Sequence, residues 1–301
     1  MNTPKTPDFD SVIGKGLGPR YMNYTWRDVA LYALAVGAKK DDLTYIWEKP
    51  GMQTIPSFGM LPYLNSILMQ PQRRVPYAPG ELVGDLIINA LDGHIPNRLH
   101  MGVDIIMHQP IYPYSGKFLT EDEVEKVFDW GDKGIVSQTK MEVYDIAGQP
   151  VCTLRNQHYI AAFGNNGREK YKSSKREFPD REPDYVADDY MAENIAVLYR
   201  LLGDTYTTHI DPTVGQGYGY KGTFVQGLCS AGFGCRMAIQ AAIPDQANRV
   251  THYAAQMRSV TPPGTNVQFR GWQMDDHTVI FKLMNMDTGK AILDNGILEY
   301  K

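Results

Sequence analysis

A chain of 301 residues with 43% hydrophobic and 21% charged side chains has the size and composition of two ordinary globular domains or one large one. Its formal net charge of -4 supplies no field that would gather nucleic acid. Three cysteines, Cys152, Cys229 and Cys235, are too sparse and odd in number for a disulfide framework and fit a reducing compartment.

No apolar run is long enough to span a bilayer. The opening, MNTPKTPDFDSVIGKG, lacks the apolar core of a secretory signal, and the closing Leu298-Glu299-Tyr300-Lys301 is not an SKL-type peroxisomal address. The expectation is an intracellular, soluble protein with neither nucleic acid nor membrane as partner, its compartment left open. Gly14, Gly16 and Gly18 alternate but precede no strand–helix unit, and are expected to form a flexible arm.

The first helix is predicted from Thr25, with Asp28 three residues on in capping-box spacing. Val29, Tyr32, Ala33 and Val36 then share one face, and Gly37 stops it. At 143–154, VYDIAGQPVCTL reads as two strands joined by a turn. The stretch Gly164 to Asp184 is nearly devoid of apolar residues and rich in Gly, Lys, Arg and Pro, the composition of a linker. It divides the chain into units 1–163 and 186–301, with 164–185 between them. In the second unit Met191, Ile195, Leu198 and Leu202 form a helical stripe ending at Gly203.

Gly227 to Ile243, GLCSAGFGCRMAIQAAI, is apolar or small on almost every face, so it must be buried nearly all round. A sheet that curls around it satisfies this, with Ser230, Ala231, Gly232 and Gly234 letting strands approach. Thr278–Met284 supplies a strand, and MDTGKAIL at 286–293 another turn between apolar runs. Each half opens on a helix and closes on paired strands. The predicted class is therefore α+β, a double hot-dog fold in which two curled antiparallel sheets each wrap a central helix.

Asp204 and His209 are the leading candidates for chemistry. Thr205, Tyr206, Thr207 and Thr208 between them are poor helix formers, so a loop is expected, and a loop can bring both side chains to one point. A carboxylate and an imidazole that converge can hold one water, the first accepting a proton while the second orients it. Taken alone the pair is a weak signal, since Asp211-Pro212 reads equally as a turn starter. Gly227 adds to it: the first turn of a helix has unpaired amides, and a glycine admits a carbonyl oxygen to them. His94, His100, His108, His158, His252 and His277 show no metal-ligand spacing, and neither Cys-x-x-Cys nor G-x-S-x-G occurs. Arg168, Lys170, Lys172, Lys175 and Arg176 could meet phosphates, although charge runs in linkers are more often simply solvated.

These residues resemble the type 2, R-specific enoyl-CoA hydratases of the MaoC-like dehydratases. The family signature Gly-Asp-x-Asn-Pro-x-His-x-Asp-Pro is matched at Gly203, Asp204, His209, Asp211 and Pro212. A His-Gly-Leu-Cys stretch is matched at Gly227, Leu228 and Cys229, and further motifs at Arg258 and Pro263-Gly264. In the first half, Tyr24 to Asp28, Leu31 to Leu34, Gly37, Leu99-His100 and Asp132-Lys133-Gly134 are similar to the family's two-unit version. The resemblance implies catalysis in the second unit and an acyl pocket formed largely by the first. It implies Asp204 and His209 as the water-activating pair, the Gly227 amide as oxyanion donor, and His100, Lys133, Thr205, Tyr206, Thr207, Thr208 and Ser259 as substrate contacts. No cofactor is implied, CoA being part of the acyl-CoA thioester substrate. It points to a peroxisomal setting by likeness only, and leaves room for a homodimer. Tyr206, Thr207, Gln226, Met101, Gly102 and Ser259 depart from the pattern. They keep open a dehydratase acting on a carrier-protein or polyketide-type thioester, and a degenerate acyl-CoA-binding protein.

Overall fold

The computed structural model describes residues 8–65, 98–173 and 175–301. His94 lies outside them. In chain order, β1 (Arg20–Thr25) leads into α1 (Trp26–Ala35), α2 (Leu43–Ile46) and α3 (Leu61–Asn65), then β2 (Arg98–Met107), β3 (Ser115–Asp129), β4 (Ile135–Tyr144) and β5 (Pro150–Ile160). The second half repeats the plan with β6 (Tyr185–Met191), α4 (Ile195–Arg200), α5 (Pro212–Gly217), α6 (Gly227–Ala242), β7 (Val250–Met257), β8 (Thr265–Asp275), β9 (Thr278–Asn285) and β10 (Ala291–Tyr300).

The ten strands form one antiparallel sheet in the order β1-β3-β4-β5-β2-β7-β10-β9-β8-β6. Read from each edge inward, the halves have the same order, and β2 pairs with β7 at the seam, for example Ile105 with Tyr253. The chain is a double hot dog, as expected, with the two sheets fused into one. In the second half α6 packs against all five strands. The first half uses a 3-10 turn over Pro56–Met60 running into α3, buried against β2 and β5.

The ends of α1 are as read: the Asp28 carboxylate accepts from the Thr25 amide at 2.8 Å and its hydroxyl at 2.9 Å, and Gly37, at φ +91°, stops it. The predicted stripe from Met191 is corrected. Met191 ends β6, and only Ile195, Leu198 and Leu202 belong to α4 and the turn after it, which Gly203 closes at φ +128°. Both predicted hairpin turns form, at 145–149 and 286–289.

Helix α6 is buried almost throughout, and its small residues divide their work. A methyl on Gly234 would meet Leu293 at 2.5 Å, so this glycine admits the sheet. One on Gly232 would meet Tyr32 Oη and Val36 Cγ1, both at 2.6 Å, so this one admits α1 of the first unit rather than a strand. Arg236, also buried, donates to the Val36 carbonyl at 2.8 Å and pairs with Asp189. The first unit thus roofs the central helix of the second.

Two further expectations change. The glycine-rich opening is not a free arm: the Gly14 amide donates to the Val124 carbonyl at 2.8 Å and the Leu17 amide to Asp122 at 3.0 Å, laying it against β3. The connecting segment is not loose either. Side chains alternate across the sheet, so with Phe281 facing α6, Ile280 faces away. On that outer face Tyr171 donates to Gln157 at 3.1 Å, Ser173 to Gln256 at 3.1 Å, and the Arg176 amide to Asn295 at 2.9 Å. Phe178 joins Ala254, Trp272, Ile280 and Ile297 in a small outer core. Too few apolar groups for a domain core are still enough to pin a strap.

Candidate active site

The chain leaves α4 through a turn and forms a 3-10 turn at Thr207–His209 before α5. Asp211 caps α5, accepting from the Thr213 amide at 2.9 Å and hydroxyl at 2.7 Å. The structural reading of Asp211-Pro212 is therefore correct for that pair. The irregular path brings the carboxylate of Asp204 to 4.0 Å from Nε2 of His209. Such a gap is too long for a direct hydrogen bond, and spans one water held at ordinary distance from each group.

Both side chains are largely shielded, at 9% and 11% exposure. His209 Nδ1 lies 2.7 Å from the Phe224 carbonyl. A carbonyl only accepts, so Nδ1 carries a proton and donates; in the neutral imidazole this fixes the tautomer and puts the lone pair on Nε2, the nitrogen nearer Asp204. The Phe224 ring also meets the imidazole edge-on at 5.3 Å. Burial raises the Asp204 carboxyl above its ordinary value, against the opposing pull of His209, the Tyr206 amide and Arg200. Its charge also reaches the Cys229 thiol in the first turn of α6, although burial is the main reason that thiol lies well above its usual value.

Gly227 begins α6. The Ser230 amide is the one bonded back to Gln226, at 3.0 Å, so the amides of residues 227–229 precede the helical ladder. His100, from β2, lies across this end: a methyl on Gly227 would sit 3.3 Å from its Cβ and 3.4 Å from its Nδ1. A register shift at Met101 re-aims His100 at the point where β2 leaves β7, and its ring stacks on His158 at 4.5 Å. Gly227 and His100 therefore meet at the seam of the two units, and the charge of Asp204 reaches the same first turn of α6 at Cys229.

The other predicted contacts scatter. Thr205 is buried and Tyr206 packs on the core, while Thr207 is exposed and Thr208 half-buried. Lys133 is exposed on a turn of the first unit, its ammonium 4.7 Å above Trp130 and its carbonyl accepting from Tyr159 at 2.7 Å. Ser259 donates to the Ala291 carbonyl at 2.8 Å, a structural use of its hydroxyl. Gln226 is fully buried and donates to the Ala196 carbonyl at 3.0 Å, tying the start of α6 to α4. Phe224 escaped the sequence reading because it contributes a main-chain carbonyl, which no side-chain pattern marks. Tyr199, fully buried and within the field of Asp204, escaped because it reads as an ordinary core aromatic. Among the described residues no three His, Cys, Asp or Glu side chains converge as metal ligands do.

Fold and site define a double hot-dog protein with an Asp–His pair in its second unit, beside the open end of a buried helix. Residues 22–161 match the model of the MFE-2 hydratase 2 N-terminal domain, and residues 174–295 that of the MaoC like domain. The chain is 26% identical to a probable enoyl-CoA hydratase 2 of Dictyostelium discoideum, over 97% of this chain and 96% of that one. It is 25% identical to the peroxisomal multifunctional enzyme type 2 of Mus musculus over 98% of its length, but spans only 39% of that longer protein. A crystal structure of a MaoC-like dehydratase from Phytophthora capsici superposes with a TM-score of 0.82 at 24% identity, covering 98% of this chain and 99% of that one. The chain belongs to the MaoC-like dehydratase family, in its two-unit enoyl-CoA hydratase 2 branch, and is an enzyme of the hydro-lyase class. No helix among the described residues is long and apolar enough to cross a membrane.

Proposed function

We propose that the protein hydrates trans-2-enoyl-CoA reversibly to (3R)-3-hydroxyacyl-CoA in fatty-acid metabolism, in a catalytic unit spanning 186–301. The observation that carries the reading is the 4.0 Å Asp204–His209 pair, with the charge of Asp204 reaching Cys229 among the unladdered amides that open α6. The thioester oxygen accepts from the Gly227 amide, where negative charge developing in the enolate-like transition state meets the positive end of α6. Asp204 and the Nε2 lone pair of His209 each accept one hydrogen of the same water. As the water oxygen bonds to C3, one proton passes to Asp204, and that proton then adds to C2, so H and OH are added across the double bond. A carboxyl whose proton affinity is raised by burial suits a group that must take up a proton and release it within one turnover. His209, held by Phe224, keeps the water aligned. The chemistry draws on no cofactor beyond the CoA of the substrate.

The (3R) outcome and the CoA carrier follow from family likeness and are for experiment to test. Purified protein is assayed with enoyl-CoAs of short, medium and long chain and with an enoyl-carrier protein, following loss of the conjugated thioester absorbance, and the product is resolved by chiral chromatography. Turnover of acyl-CoA to the R alcohol is the expected result. Turnover restricted to the carrier-protein substrate, an S product, or binding without turnover overturns it.

A further inference from the structure

The cationic run of the connecting strap is only partly neutralised by the fold. Arg168 pairs with Asp10 at 2.7 Å and Lys170 with Asp129 at 2.7 Å. Lys175 and Arg176 instead join Arg258, at the end of β7, and Lys282, on β9, around a cleft of about 340 Å3 on the outer face of the sheet. Asp294 is the one carboxylate lining it, against four cations, of which Arg176 also feels Asp104 and Glu299 from outside the cleft. Asp294 forms ion pairs without hydrogen bonds with two of them, its oxygens lying 3.6 Å from Arg258 Nε and 3.8 Å from Lys282 Nζ, so its one charge is shared between both. The wall is firm. Arg176 is bonded to Asn295 through both its amide and its guanidinium, and Phe178, under the Lys282 ammonium at 4.3 Å, is braced by Trp272.

The cleft is also close in chain to the proposed reaction centre. From Arg258 the backbone runs to Thr261, whose carbonyl accepts from Val225 at 2.8 Å, two residues before Gly227. Fully extended, that path is roughly 20 Å. A thioester at Gly227 has a pantetheine arm of comparable reach, with a diphosphate and a ribose phosphate at its far end. Guanidinium and ammonium groups are the natural partners of such oxygens.

We propose that this cleft binds the phosphate groups of the nucleotide arm of the acyl-CoA thioester. The inference rests on the hydratase reading for its substrate and makes a separate claim about residues which that reading does not use. The cleft selects for the whole nucleotide arm, so a thioester that ends at pantetheine gains nothing from it.

The test uses Arg258→Gln and the double variant Lys175→Gln/Lys282→Gln, the second of which leaves the Arg258–Asp294 contact in place. Calorimetry with adenosine 3′,5′-bisphosphate reads the cleft without catalysis, and steady-state rates with crotonyl-CoA and crotonyl-pantetheine read it during turnover. The native protein is expected to bind the bisphosphate, each variant to weaken binding about tenfold, and kcat/KM for crotonyl-CoA to fall by a similar factor through KM, with crotonyl-pantetheine unaffected. Failure of the native protein to bind the bisphosphate, binding insensitive to the charges, or equal losses on both thioesters overturns the cleft, even if hydration is normal. Charge-dependent bisphosphate binding without hydration of either thioester sinks the hydratase reading and sustains the nucleotide site.

Discussion

His100 of the first unit lies across Gly227 of the second, so close that a methyl on the glycine would come within 3.4 Å of the imidazole Nδ1. The proposed oxyanion site is thus walled by both halves of the chain. Gly227→Ala tests it. The backbone at the first position of a helix suits alanine, and His100 must give by only a few tenths of an ångström. The fold is expected to persist, while the methyl obstructs approach to the amide. Since an oxyanion donor contributes about 10²–10³ in rate, kcat should fall by a comparable factor at nearly unchanged Tm. An active Gly227→Ala would remove the amide from the mechanism.

Asp204→Asn and His209→Ala should each cut kcat by about 10²–10⁴, measured as loss of enoyl-thioester absorbance. Stability should separate them from ordinary core damage. Burial raises the Asp204 carboxyl, so the folded state holds its proton more tightly than the unfolded state does. The stability associated with that proton is full below the unfolded value and is lost as pH rises through the folded value. Above the unfolded value, burial of this carboxyl therefore costs stability, and Asp204→Asn should melt at or above the native Tm at neutral pH while being inactive. A variant that is both inactive and strongly destabilised would point to a structural role.

The same shift sets the acid side of the rate profile. Asp204 must be ionised to accept the water's proton, so kcat/KM is expected to fall as pH drops through a value above the ordinary 3.8. A profile measured from about pH 4 to about pH 8 checks this. A rate that stays flat down to the ordinary aspartate value contradicts the assignment.

His252 sits at the seam on the outer face, with Nδ1 2.9 Å from Glu299 and Nε2 3.4 Å from Asp104. Burial opposes its charge, but Asp104 and Glu299 prevail and raise its pKa above 6.5. Arg176 shares the same two carboxylates. A raised histidine stabilises fully below its unfolded value, and the contribution is lost as pH rises through the folded one. Thermal melts should therefore show Tm declining above about pH 6.5, and His252→Gln should flatten that decline. An unchanged slope in the variant would assign the dependence to other groups.

Gly232→Val should test the contact between α1 and α6. The added side chain would drive into Tyr32 and Val36, each already 2.6 Å from the position of a first carbon. Overpacking of this kind costs about 1–3 kcal/mol, read by denaturant unfolding. A neutral outcome would mean the two units separate at this contact more easily than its packing implies.

The repeated unit, the buried helix and the candidate Asp204–His209 pair were legible in the amino-acid sequence alone. Those features are local: α6 has no polar face, the hairpin turns carry their own turn chemistry, and Asp204 and His209 are five residues apart. Likeness to a family extended this to the arrangement of both halves. The remaining features rest on contacts between distant parts of the chain. The fusion of two sheets at β2 and β7, the meeting of Gly232 with a helix rather than a strand, and the docking of the glycine-rich arm and the strap all depend on partners more than a hundred residues away in several cases. The tautomer of His209 depends on the carbonyl of Phe224, a group every residue possesses and no sequence pattern can single out. Ser259, a substrate contact by family likeness, and Gln226, a departure from the family pattern, donate to the carbonyls of Ala291 and Ala196, partners that only the fold supplies. Lys175, Arg176, Arg258 and Lys282 look like scattered surface charge until the strap lies on the sheet. Charge becomes a site only when separate elements hold it around one cleft, and that is a property of the fold.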